Sequence, residues 1–104
     1  MNAEEKRAEL RGYFANVDED KRSIAYDTIE EYLFFIERIA ALKDLPYIRV
    51  SKSDPSRQEL TPAAKLIREY SQAVDAKRKT LLTILYRVEG SAADDLLAKL
   101  AEFE

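Results

Sequence analysis

Residues 61–90 read TPAAKLIREYSQAVDAKRKTLLTILYRVEG, and this stretch decides the fold. Its apolar positions recur at alternating steps of four and three: Ala63, Ile67, Tyr70, Val74, Leu81, Ile84 and Val88, with Lys77 on the same row. The mean step is about 3.5 residues, the period of helices that lie along one another. Thr61-Pro62 is a helix opening, a threonine N-cap followed by proline at the first helical position. Gly90 has the character of a C-cap. A helix from Thr61 to about Glu89 would be about 42 Å long. In a chain of 104 residues such a rod must lie against a partner.

Upstream, Asp18-Glu19-Asp20 opens a second long helix, with Asp18 as N-cap and acids in the first turn where the dipole favours them. Its row is Ala25, Ile29, Tyr32, Ile36 and Ile39, with Leu33 and Ala40 beside it and Ile24, Phe35 and Leu42 on one flank. Lys43 suits its C-terminal end, and Asp44-Leu45-Pro46 stops it, because the residue before a proline resists helical geometry. Before it, Leu10, Tyr13, Phe14 and Val17 form one buried stripe of a helix over about 3–16. After Gly90, Ser91-Ala92-Ala93-Asp94 resembles a capping box with Asp in place of Glu, and Leu96, Leu97, Leu100 and Phe103 are its helix's apolar side.

These elements predict an all-α fold in one domain, with helices at about 3–16, 18–43, 61–89 and 91–102. The two long helices form an antiparallel hairpin, and the short terminal helices pack on its open end. Residues 44–60 form the arm between the long helices. Tyr47 to Val50 is strand-prone and is expected to pair with Arg57 to Leu60 across a Ser53-Asp54-Pro55-Ser56 turn; an extended arm without pairing is the alternative. Phe34, Leu82 and Tyr86 fall outside the main stripes. They either cover the terminal helices or form a subunit interface.

Composition narrows the chemistry. Histidine and cysteine are both absent. That removes Ser-His-Asp triads, thiolate nucleophiles, disulfides and nearly every zinc site. With only Gly12 and Gly90, no glycine-rich phosphate loop exists. Glu30, Glu31 and Glu37, and the adjacent Asp94 and Asp95, show no metal-ligand spacing and read as solvated faces. No enzyme, cofactor or small-molecule substrate is expected. The charged first residues and the lack of a long apolar run predict no membrane segment, and zero cysteine fits an intracellular protein.

Charge is unevenly spread over the net −3. Residues 1–42 carry six basic and ten acidic side chains, residues 43–87 ten and five, and residues 88–104 one and five. The basic middle is either an anion-binding surface or the complement of the acidic helices. Arg49, Lys52 and Arg57 of the arm, with Lys65 and Arg68 of the following helix, are the candidate phosphate contacts. Lys77 lies on the apolar row. There it snorkels, or it sets helix register and oligomer state, with Glu30, Glu31 or Glu37 as its partner.

Several segments together look familiar: Val17-Asp18-Glu19-Asp20-Lys21, Leu45-Pro46-Tyr47-Ile48-Arg49-Val50, Asp54-Pro55-Ser56-Arg57-Gln58 and Thr61-Pro62-Ala63-Ala64-Lys65. Over roughly residues 17–88 the chain resembles small phage and prophage proteins of Gram-positive bacteria, and its layout is similar to one group of phage terminase small subunits. The resemblance implies a non-catalytic role in genome packaging in the cytoplasm of a bacterial host. It implies a homo-oligomer, with viral DNA and the terminase large subunit as partners. The chain departs from that pattern in its acidic first 42 residues and in lacking a clear N-terminal helix-turn-helix. It also has Leu85-Tyr86-Arg87-Val88-Glu89-Gly90 where such proteins often carry a Leu-Gly-Leu-Thr-Pro segment. The rival reading is a helical adaptor that docks another protein without touching DNA.

Overall fold

Leu10, Phe14, Ile29, Tyr32, Leu81, Leu96 and Leu100 come from all four helices and the turn after the first, and meet in one core, each with essentially no exposed surface. The computed structural model describes residues 2–45, 48–50 and 58–104, with side chains given for 2–45 and 61–104. The helices are α1 (Ala3–Gly12), α2 (Glu19–Leu42), α3 (Pro62–Val88) and α4 (Gly90–Phe103). Between α2 and α3, the backbones of β1 (Ile48–Val50) and β2 (Gln58–Leu60) pair with Arg49 opposite Glu59. The Ser53–Ser56 turn and Tyr47 lie outside the described residues.

The long helices run in opposite senses. Glu31 pairs with Lys77, and Phe35 lies 5.5 Å from Tyr70, so numbers fall on α3 as they rise on α2. α1 is held to α2 by Arg7 and Arg11, both bonded to Glu30 at 3.0–3.2 Å through their terminal nitrogens. α4 is held by the Tyr32 hydroxyl, which donates to the Leu100 carbonyl at 3.2 Å, and by Arg78, which donates to Glu104 at 2.9 Å. Lys99 of α4 reaches Glu9 of α1 at 3.3 Å, closing the ring of four.

Helix ends depart from expectation in three places. α1 stops at Gly12 rather than Asn16. There the chain tightens into three-residue bonds, Tyr13 to Leu10, Phe14 to Arg11 and Val17 to Phe14, and this tighter winding carries Phe14 and Val17 into the core. Asp18 occupies the N-cap position of α2, but its side chain makes no capping bond. Gly90 is not a C-cap. Glu89, in extended conformation at φ −154° and ψ 100°, ends α3 and at once begins α4, which therefore starts at Gly90 and takes Ser91 inside it. No glycine has positive φ among the described residues. The Thr61 cap is as expected: its hydroxyl accepts from the Ala64 N–H at 3.2 Å.

The buried face of α3 keeps most of the 3.5-residue row, with Ala63, Val74 and Leu81 on it, and departs from it at the C-terminal end. Its buried residues are Ala63, Val74, Leu81 and Leu85, while Val88 is 48% exposed. Ile84 of the row still packs on the core while Val88 does not, and Leu85 beside the row is buried where α4 folds back. On α4, Leu97 is likewise turned outward at 48% exposure, and Ala93 takes the inner place.

Candidate interaction surface of the long helices

The terminal helices cover only one half of the long pair. On α2 no residue after Leu33 is buried, and on α3 none between Ala63 and Val74 is. This half still carries Phe35, Ile36, Ile39 and Leu42 on α2, with Leu66, Ile67 and Tyr70 on α3, all only half-buried. Two helices bury one stripe each, so side chains at its edge, Phe35, Ile36 and Ile39 among them, pack on the core with one side and leave the other in water. The molecule is 59 Å long and 25 Å across.

A groove of about 310 Å³ opens where this uncovered half meets the ends of α1 and α4. Its floor is Ile36, Ile39, Ile67, Val74 and Phe103. Lys6 and Lys43 line it, and the Lys6 ammonium lies 5.5 Å from the centre of the Phe103 ring. Asp75 and Glu104 also line it, but both are held by the Arg78 guanidinium, at 2.5 and 2.9 Å. The two lysines have no carboxylate within ion-pair distance among the described residues, so the groove is apolar with a positive rim.

A second apolar surface lies at the α3–α4 corner. Tyr86 is 71% exposed there, beside Leu82, Leu97, Ala93 and Asp94. Leu82 is half-buried against the core. Phe34 is 54% exposed and makes an edge contact of 5.4 Å with Phe35. It sits on the uncovered half of α2, so the structure brings Leu82 and Tyr86 together and leaves Phe34 apart from them. Of the three, only Leu82 packs on the core.

The basic candidates divide. Lys65 and Arg68 are exposed on α3, with no ion pair among the described residues. Arg49 belongs to β1, but its side chain, with Lys52 and Arg57, lies outside the described residues. Lys77 is paired with Glu31, one of the three acids foreseen for it. Glu30 instead serves α1, through Arg7 and Arg11. Among the described residues no three His, Cys, Asp or Glu side chains gather as metal ligands, and no helix is long and apolar enough to cross a membrane.

Titration shifts mark the joints between helices. Burial, with the negative charge of Glu104 behind it, pushes the Tyr32 phenol well above its ordinary range. Hydrogen bonds donated to Glu102 and then to Glu9 push the Lys99 ammonium up, and Glu30 does the same for Arg7.

The groove was not legible in the sequence, because it is assembled from Lys6, Lys43 and Phe103, which stand far apart in the chain. Only the width of the apolar stripe between Leu33 and Leu42 hinted at it. No family model matches this chain, and no curated protein or solved structure matches it.

Proposed function

We propose that this chain is a non-catalytic phage protein that assembles with copies of itself through its long helices, in the manner of a terminase small subunit. The observation that carries the reading is the uncovered half of the helix pair, where seven large apolar side chains are half-buried and Phe34 is open to water. Contiguous apolar surface of this kind marks a protein contact. The scaffold is a helical hairpin with a paired arm at its tip. Lys65 and Arg68 stand exposed at the foot of that arm, and with Arg49, Lys52 and Arg57 they supply the cations that phosphate contact requires. The lack of histidine and cysteine supports a non-catalytic role. The packaging role, the viral DNA and large-subunit partners and the bacterial cytoplasm rest on the sequence resemblance.

The test is solution mass by size-exclusion chromatography with light scattering at several concentrations. An assembly of several subunits is the expected result. A concentration-independent monomer or dimer overturns the reading. It would favour the adaptor alternative, which the net −3 charge and the acidic first 42 residues support, and a partner would then be sought by pull-down.

A further inference from the structure

We infer that a second copy of this chain seats the apolar patch around Tyr86 in the groove between Lys6 and Lys43, so that copies join head to tail. The inference rests on the self-assembly reading above and names the two surfaces involved.

Charge complementarity selects the occupant. The groove offers an apolar floor and two lysines without carboxylate partners among the described residues, its own two acids being held by Arg78. The Tyr86 patch offers the reverse: exposed Tyr86 and Leu97 with Asp94 in the lining and Glu89 at the same corner, neither acid having an ion pair among the described residues. Arg87 is the one cation lining it among the described residues. A tyrosine ring suits a groove of about 310 Å³, because an aromatic side chain hides large area at low entropic cost.

A chain cannot fill its own groove. Tyr86 lies eleven residues beyond Asp75 on the same straight helix, about 16 Å along its axis. Patch and groove are different surfaces, so the contact is heterologous. Each added copy leaves one free patch and one free groove, and the series closes into a ring or extends as a filament according to the rotation per copy. A contact centred on one groove is small by the standard of stable interfaces, so the assembly is concentration-dependent and weakened by salt.

Two variants of the full chain test this: Lys6→Glu with Lys43→Glu, which inverts the groove, and Tyr86→Ala, which empties the patch. Each should weaken self-association by about tenfold or more. Leu97→Ser serves as a second patch variant, and circular dichroism confirms that each chain keeps its helices. The decisive measurement is the mass of an equal mixture. The groove variant retains a patch and the patch variant retains a groove, so together they should form a one-to-one dimer and nothing larger. A mixture with no dimer overturns the inference. Wild-type assembly that neither variant disturbs also overturns it, and places the contact elsewhere, such as at Phe34, while the assembly reading stands. A wild-type monomer at every concentration removes both.

Discussion

Lys77 of α3 is ion-paired with Glu31 of α2, a charged contact set into the row of side chains that joins the two long helices. Lys77 keeps 31% of its side-chain surface and Glu31 52%, so the pair is partly in water and worth at most about 1 kcal/mol. Its value lies in specificity. A leucine at this position would pack against many helices in many registers, whereas a lysine needs an acid opposite. Lys77→Leu is therefore expected to broaden or shift the mass distribution of the assembly while its melting temperature holds or rises. Unchanged mass with lower stability would show that Lys77 is an ordinary ion-pair partner.

The end of α3 offers a test of where the core lies. Leu85 is buried and Val88 is 48% exposed, although the seven-residue row assigns contact to Val88. Leu85→Ala should cost about 2–5 kcal/mol and Val88→Ala less than about 1 kcal/mol. Urea unfolding followed by circular dichroism measures both, and equal costs would place Val88 in the core with the rest of its row.

Gly90 begins α4 at a negative φ, and a Cβ there would meet only the Tyr86 ring at 3.6 and 3.8 Å, which is ordinary contact. Gly90→Ala should therefore stabilise the chain by about 0.4–1 kcal/mol. Had the residue been a left-handed C-cap, the same change would destabilise it, so the sign of the shift in melting temperature decides between the two geometries.

Tyr32 links stability to alkaline pH. Its phenol is buried, donates to the Leu100 carbonyl, and titrates above the ordinary tyrosine value of about 10. The folded state therefore holds this proton more tightly than the unfolded chain does. The contribution is complete below about pH 10 and is lost as pH rises above it, as the unfolded phenol ionises and the folded one does not. Lys99, whose ammonium is also pushed up, acts in the same direction. Melting temperature should fall above about pH 10, and Tyr32→Phe should show a shallower fall from a lower starting stability. Parallel curves for the two proteins would remove Tyr32 as the cause.

If the basic side chains meet DNA, affinity should drop steeply between low and moderate salt. Lys65→Ala with Arg68→Ala should reduce the slope of log affinity against log salt by about 1 for each phosphate those side chains neutralise, and Arg49→Ala with Arg57→Ala should flatten it in the same way. Fluorescence anisotropy on a duplex across a salt series reads this directly. No binding at low salt would end the DNA role.

The sequence by itself determined the local architecture. The paired rows of apolar residues in 18–43 and 61–89 dictate two long helices, Thr61-Pro62 marks a start, and Leu45-Pro46 interrupts the chain between them. These are signals of backbone propensity and period, carried by neighbours a few residues apart. Tertiary structure alone decided which face of each helix was buried, where helices ended against one another, and which charges met. Leu85 rather than Val88 is inside because α4 folds back on that side. Gly90 enters a helix because Glu89 serves both ends. The groove exists because α1 and α4 stop short of the arm, bringing Lys6, Lys43 and Phe103 to one place. Such juxtapositions depend on contacts between residues far apart in the chain, and no local pattern encodes their distance or direction.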